Sequence, residues 1–462
     1  MTAGGAPRPA STRRPRAELL LAAAVLAAYA NALGGAFQFD DYNVIVDNGR
    51  VHSLAAWART LPAGIRPLLS LSYTLNWIAG PEPFGFHLVN VALHATNTVL
   101  AYRLCLALGV ASGAACFAAL LFGLHPIQTE AVTYVSGRSV ALMACCYLGS
   151  VLAYARGRDG GAGWRVASVA LFGLAVAAKE VAVTLPLALL LFEAATAAGD
   201  GWRRALAWQA PHWLLLGVAL VLVAASPRYR ELLGHSAGLR GPLENLVSQL
   251  VALGYLLSRL VHAGGLCIDP ALPVVTRLSP GLALAAGGVL ATVGFAGMGL
   301  RRRSVVAFAV LWFFVLLLPT NSVVPRADVV SERQVYLAAL GPFLLLALAV
   351  ERLRAGRRWI GAIALVLPAL LAVATVARNR DYQSEIALWR STVRTSPGNA
   401  RAWNNLGWAW QVAGCWDRAE AAYREALRLE PGQAPARGNL DALHAERARA
   451  AMPPRCTAEP SG

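Results

Sequence analysis

Charge is scarce in this chain: Asp, Glu, Lys and Arg together make up 14% of its 462 residues, against about 25% in an ordinary soluble domain. With a mean hydropathy of +0.50 and apolar segments recurring along the chain, this shortage excludes a soluble globular protein and points to several membrane spans. Lysine is nearly absent. Of the 41 basic residues only Lys179 is a lysine, a bias of composition that singles out the one exception. Cysteine is sparse too: Cys105, Cys116, Cys145, Cys146, Cys267, Cys415 and Cys456 are odd in number, fall mostly in apolar segments and form no CxxC pair. They read as buried apolar filler, neither a disulfide framework nor a zinc site. What charge there is runs basic, +16 net. In a soluble protein that would suggest nucleic acid. Here the arginines gather at span ends, which orientation in a charged membrane explains without a nucleic-acid partner.

Apolar segments fall near 17–35, 88–108, 112–126, 138–155, 164–178, 181–197, 211–226, 246–264, 281–300, 304–319, 336–353 and 358–377. RRPR at 13–16 puts the N-terminal tail, 1–16, in the cytoplasm. The small residues of AYANA (28–32) allow a cleaved signal peptide as the competing reading, which leaves the later spans where they are. The loop 36–86 is then outside, ARGRDGGAGWR (155–165) and GDGWRR (199–204) are inside, and SPRYRELLGHSAGLRGPLEN (226–245) is outside. If 246–264 crossed, RRR at 301–303 and ERLRAGRR at 351–358 would both lie outside. That segment also carries Ser248, Gln249, Ser258, Arg259 and His262, a poor composition for lipid. It is therefore expected along the interface or re-entering. The fold class is an all-α polytopic bundle over 17–377, with about eleven crossings and the C-terminus outside.

Composition changes after Ala377. Residues 400–433 place Trp403, Leu406, Gly407, Trp410, Ala419, Tyr423, Ala426 and Pro431 at the positions of a tetratricopeptide repeat. Gly407 and Ala419 are small enough for close helix packing, and Pro431 ends the second helix. SEIALWRSTVRTSPGN (384–399) reads as the last helix of a preceding repeat, and NLDALHAERARA as the first of a following one. The region 378–450 falls short of the roughly three repeats that stand alone, so it should lean on the membrane domain or cap its outer face. The tail 451–462 reads as disordered.

Polar residues accumulate at the outer ends of spans. The first is Asp40-Asp41 in GGAFQFDDYNVIVDN (34–48), two like charges side by side just beyond a span. RPLLSLSY (66–73) adds Arg66. HLVNVALHATN places His87, Asn90, His94 and Asn97 within an arc of about 80° on one helix; helix–helix hydrogen bonding explains His94 and Asn97, and competes evenly with a ligand role for His87 and Asn90. LHPIQTEAVTYVSGRS (124–139) supplies His125, Glu130, Tyr134 and Arg138. Lys179 and Glu180 point about 100° apart, so each needs a partner elsewhere. PTNSVVPRADVVSERQVYL (319–337) adds Arg326, Glu332, Arg333 and Tyr336. Adjacent acids among arginines and one lysine, at the depth of lipid phosphates, suit a phosphate-bearing lipid. No spacing matches a metal motif such as HExxH.

In order and spacing, FDDYNVIVDN, RPLLSLSY, FHLVNVALHATN, LHPIQTEAVTYVSGR, the KE at 179–180 and LPTNSVV…SERQVYL, followed by the repeat, resemble the GT-C glycosyltransferases that use polyprenyl-phosphate sugars. More narrowly, the chain resembles the transmembrane-and-tetratricopeptide-repeat O-mannosyltransferases and their bacterial relatives, over about 30–430. The resemblance implies an inverting transferase in a bacterial inner membrane, its site and repeat on the periplasmic side. An acid after the first span would be general base, Asp40 or Asp41, with Asp40 the analogue. Arg138, Lys179 and Arg333 would meet the donor phosphate, with Arg66 in a lesser part, while His125 and Glu130 would hold the sugar or orient the base. Glu180, Glu332, Tyr336, His87 and Asn90 complete the expected donor site. The resemblance further implies a polyprenyl-phosphate sugar donor, probed first with mannose, and a protein or glycan acceptor; the repeat offers a surface for a protein partner. No cofactor is required, although two adjacent acids could bind a divalent metal. This chain carries fewer repeats than the family often does, which weakens the case for an extended polypeptide acceptor. Two other classes stay open: a transporter or channel, opposed by polar residues that keep to one face, and a non-enzymatic scaffold, which leaves the clustered acids and arginines unexplained.

Overall fold

The computed structural model describes residues 13–61, 64–158, 160–196, 202–354, 357, 360–450 and 456; most of the N-terminal tail and nearly all of 451–462 lie outside them. In chain order the helices are α1 (Arg13–Ala28), α2 (Leu54–Thr60), α3 (Pro67–Ala79), α4 (Pro83–Ala107), α5 (Ser112–Leu124), α6 (Thr129–Val132), α7 (Arg138–Gly157), α8 (Ala162–Ala178), α9 (Leu185–Thr196) and α10 (Trp202–Ala225). They continue as α11 (Pro227–Leu239), α12 (Pro242–Val261), α13 (Pro280–Leu300), α14 (Val305–Leu317), α15 (Leu340–Arg354), α16 (Ile360–Asn379), α17 (Glu385–Thr395), α18 (Ala400–Val412), α19 (Trp416–Leu429) and α20 (Ala434–Arg449). No strand occurs among the described residues. Local chemistry fixes many starts: Pro67, Pro83, Pro227, Pro242 and Pro280 sit in first turns, where their missing N–H is no loss. Ser53, Ser279, Ser304, Ser384 and Asn399 cap with side-chain oxygens.

Each of the twelve apolar segments forms one helix. By length and apolarity together, four stretches among the described residues suffice to cross a membrane: 135–157, 205–225, 280–300 and 361–382. A fifth joins Ser112–Leu124 to Pro126–Val132 if that 51° bend is one broken span. The count of about eleven is therefore not reproduced by this criterion. The reason is visible in α4, which has 25 residues but turns a polar stripe inward. Asn90 Nδ2 donates to the carbonyls of Val132, Tyr134 and Val135. Nε2 of His94 lies 3.0 Å from the Gly123 carbonyl, and Asn97 donates to Ala141 O at 2.8 Å. Each satisfies an interior polar group where lipid offers no partner.

Beyond α16 the repeat forms as its pattern requires. A Cβ at Gly407 would come within 2.6 Å of the Tyr423 ring, so only glycine lets α18 and α19 approach this closely. Ala419 and Ala426 are fully buried in the same seam. One expectation is corrected here. Cys415 and Cys456 form a disulfide across 41 positions, clipping the tail to the α18–α19 turn. An odd total without CxxC argues against a framework of bridges, but it says nothing about a single long-range one. Cys105, Cys146 and Cys267 are buried thiols as expected.

Candidate active site

Two clasps hold the Asp40-Asp41 loop. At its base, Asn379 Nδ2 donates to Ala28 O and Asn31 Oδ1, and Asn31 Nδ2 donates to Val376 O. The end of α16 is thereby locked to the end of α1. From the repeat side, Gln38 Nε2 donates to Tyr382 O. Glu385 of α17 accepts from the Phe39 amide, and Trp389 packs edge-to-face on Phe39 at 5.1 Å. Phe39 itself stands at φ 48°, a left-handed conformation costing a non-glycine residue about 1–2 kcal/mol. The contacts with α17 hold it there, and a short π-turn, Tyr42–Val46, follows the two acids.

The twist gives the acids different surroundings. Asp41 is 1% exposed. Its carboxylate accepts from the Gln38 amide at 3.0 Å, from the Ser136 amide at 2.8 Å and from the Ser136 hydroxyl. Burial pushes its carboxyl up to about 7; the Ser136 and Gln38 bonds work against that, and the charge of Asp40 adds least. Asp40 is half-buried. Its amide donates to the Tyr134 hydroxyl at 3.0 Å, while among the described residues no hydrogen bond or ion pair engages its carboxylate.

Across Tyr134 lies a group of cations. Arg333 sits 5.9 Å above the Tyr134 ring. Its Nε is 3.4 Å from Glu130, which also accepts from the Arg333 amide and the Ser331 hydroxyl. Burial works to lower the Arg333 pKa, but Glu130 first, then Tyr134 and Asp40, hold it above its ordinary value. Arg333, Arg326 and Lys179 line one small cleft, together with Gln334 and Thr320. Lys179 donates to Ser139 Oγ at 3.4 Å; burial, then the charges of Arg66 and Arg333, depress its pKa well below the ordinary lysine range. Arg66, also left-handed at φ 53°, grips Glu180 with two bonds of 2.9 and 2.6 Å. Burial would raise Glu180, but the charge and bonds of Arg66, followed by Lys179, pull its carboxyl down to about 2.

The expected site thus divides. Asp40, Lys179, Glu180, Arg66 and Arg333 converge, and Arg326, counted among the outer-face arginines but not in the expected donor site, joins them. That residue stood in the same sequence stretch as Arg333 but had no spacing to recommend it. The others form the frame. Arg138 is completely buried; it donates to Asn90 Oδ1, Ser72 O and Phe86 O and lies over the Tyr73 and Phe86 rings. Its guanidinium is spent on the protein, which corrects its expected place against a donor phosphate. Tyr336 bonds His94 and Asn97 inside the bundle. Nε2 of His87 lies 3.2 Å from the Gly35 carbonyl. His125 caps the turn after α5 through the Ile127 amide and faces the Leu260 carbonyl. Glu332 accepts from Tyr255 and the Cys267 amide, and burial pushes its carboxyl up to about 7. Ser136 and Glu385, which position the acids, carry no signal in sequence. Among the described residues no three His, Cys, Asp or Glu side chains cluster as metal ligands would.

Comparison with characterised proteins places relatives over the repeat and over most of the chain. The tetratricopeptide repeat family matches residues 400–433. The chain is 25% identical over 484 residues to Protein O-mannosyl-transferase TMTC3 of Homo sapiens, covering 91% of this chain and 52% of that protein. It is 27% identical over 530 residues to Protein O-mannosyl-transferase Tmtc3 of Drosophila melanogaster, covering 92% and 56%. Against Protein O-mannosyl-transferase Tmtc2 of the same fly, identity is 35% over 188 residues, covering 36% and 20%. The chain is therefore similar over nearly its whole length to transmembrane-and-tetratricopeptide-repeat O-mannosyltransferases, and it spans about half the length of the first of these relatives.

Proposed function

We propose that this chain is a membrane glycosyltransferase. It would move a sugar, mannose by analogy with its relatives' names, from a polyprenyl-phosphate donor to a hydroxyl of a protein or glycan. The observation that carries the reading is the pairing of one free carboxylate, Asp40, with the cation-lined cleft of Lys179, Arg326 and Arg333. Asp40 takes the proton from the acceptor hydroxyl as its oxygen attacks the anomeric carbon. The bond from that carbon to the phosphate oxygen breaks, and the lipid phosphate leaves with the electron pair. A single displacement inverts the configuration. General-base assistance of this kind is worth about 10²–10⁴-fold. The departing phosphate develops negative charge where the cations already stand, so stabilisation needs no rearrangement at the moment of reaction.

Asp41 is the positioning acid, since Gln38 and Ser136 occupy its carboxylate. Glu130 positions Arg333, and Glu180 positions Arg66. The chemistry balances without a metal, the cations meeting the charge of a monophosphate. The Cys415–Cys456 bridge supports an extracytoplasmic site, because disulfides persist in oxidising compartments; the repeat that holds it contacts the Asp40 loop directly. A bacterial inner membrane with the site on its periplasmic side fits that bridge and the basic loops.

The test is transfer of radiolabelled polyprenyl-phosphate mannose into membrane protein by wild type, Asp40→Asn and Asp41→Asn. Incorporation by wild type, lost in a folded Asp40→Asn protein, supports the reading. Loss confined to Asp41→Asn would move the base to Asp41. Failure of wild type with a panel of lipid-phosphate sugars would return the chain to transport or scaffolding.

A further inference from the structure

The helices that carry the Asp40 site also build a cavity at their opposite ends. α1 ends before Asp40 and carries Glu18 in its first half; α4 carries Asn90 toward its start and Arg103 toward its end, α7 opens at Arg138 and is followed by Arg158, and α9 begins beyond Lys179 and ends at Thr196. Glu18, Arg103, Arg156, Arg158 and Thr196 line a space of about 630 Å³ between those far ends, within the range of small-molecule sites. Three guanidinium groups face it. Arg103 is held by Glu18 through bonds of 2.8 and 2.6 Å. Arg158 donates to Thr196 Oγ at 2.7 Å and lies 3.6 Å from Glu193. Arg156 is exposed, stacked at 5.2 Å over Trp164, and no hydrogen bond or ion pair engages it among the described residues. Leu106, Leu152 and Phe192 line the same space with apolar surface, and Arg158 lies 5.8 Å over the Phe192 ring.

We propose that this cavity binds a phosphate group, and that the apolar surface beside the arginines fits it to the headgroup of an anionic phospholipid. The guanidinium forks supply charge-assisted bonds to phosphate oxygens, and basic pockets between spans suit anionic headgroups. Acyl chains would run along Leu106, Leu152 and Phe192. Arg103 and Arg158 are preset by their own partners, whereas Arg156 is free to close on the ligand.

Native mass spectrometry of the full chain in detergent tests this with added phosphatidylglycerol or phosphatidylcholine; a thermal-shift arm uses inorganic phosphate. The expected result is preferential retention of phosphatidylglycerol, reduced about fivefold in Arg156→Gln, as loss of one arginine near a headgroup predicts. Arg156→Gln removes no side-chain hydrogen bond or ion pair of the fold, only the stacking on Trp164, and Arg158→Lys, which keeps the charge but loses the fork, serves as the second variant. Stabilisation by inorganic phosphate equal to that by lipid would keep the anion site and overturn the lipid as its source. Equal retention of both lipids, or retention unchanged in both variants, would overturn the proposal.

Discussion

At the scale of single residues, the two adjacent acids are set apart by one twisted residue before them. Phe39 in a left-handed conformation lets the Gln38 amide reach the Asp41 carboxylate, and Asp40 is left turned away from it. Asp40→Asn should therefore abolish transfer, by about 10²–10⁴-fold, and leave the melting temperature of the purified protein nearly unchanged. Asp41→Asn should act through the fold. Its amide nitrogen would face the Gln38 or Ser136 donors that the carboxylate now accepts from. The pH dependence separates it further. Asp41 titrates at about 7 in the folded chain against 3.8 ordinarily, so the folded state binds the extra proton in between. The stability Asp41 contributes is complete below the lower value and is lost as pH rises through the higher one, at about 1.4 kcal/mol per unit. The difference in unfolding midpoint between wild type and Asp41→Asn, measured by denaturant titration from pH 4 to 8, should narrow as pH rises. A constant difference would contradict this assignment.

At the scale of elements, α17 is the hinge between repeat and site. Glu385 and Trp389 hold Phe39, and so fix the direction of Asp40. Glu385→Ala should lower kcat more than it raises KM for the lipid donor, since the cation cleft lies on other elements; steady-state kinetics at saturating acceptor would show the split. The disulfide predicts a separate effect. Closing a loop of 41 positions stabilises by about 4 kcal/mol in the chain-entropy account, so Cys456→Ser should lower the melting temperature of the repeat region without changing the donor KM. These elements also mark where sequence reading succeeds and stops. The repeat was legible because eight positions at fixed spacing carry the residues the pattern requires, and Gly407 against Tyr423 shows the steric reason. The twelve apolar helices were legible from composition. The division of labour between Asp40 and Asp41 was not, because it depends on Ser136 and Glu385, 95 and about 345 positions away. Arg138 misled for a related reason: a lone arginine at a span end reads the same whether it faces ligand or, as here, the carbonyls of its neighbours.

At the scale of the whole molecule, the contact between repeat and loop constrains the topology. Residues 38–42 follow α1, and Phe39 and Tyr42 pack on Trp389 and Trp408. The C-terminal region therefore sits at the far end of α1 from Arg13. Twelve complete crossings would bring the chain back to the side where α1 begins, so an odd number is needed. α12 is the helix to set aside. Near its start Asn245 donates to Ser322 O; further along Gln249 donates to Val329 O and Tyr255 to Glu332, and the Leu260 carbonyl near its end faces His125. All of those partners belong to connections at the Asp40 end, so α12 lies along that face with its polar side turned toward the site. Setting α12 aside predicts eleven crossings, more than the four or five stretches among the described residues that qualify by length and apolarity, and it predicts the arginines at 301–303 on the side of the N-terminal tail. Single cysteines placed at Arg302, His262 and Gly432 in a chain cleared of its other thiols should test this with a membrane-impermeant maleimide on intact spheroplasts. Labelling at His262 and Gly432, with Arg302 reached only after permeabilisation, is the expected pattern. Protection of His262 together with Arg302 would instead make α12 a true span and require another helix to turn back.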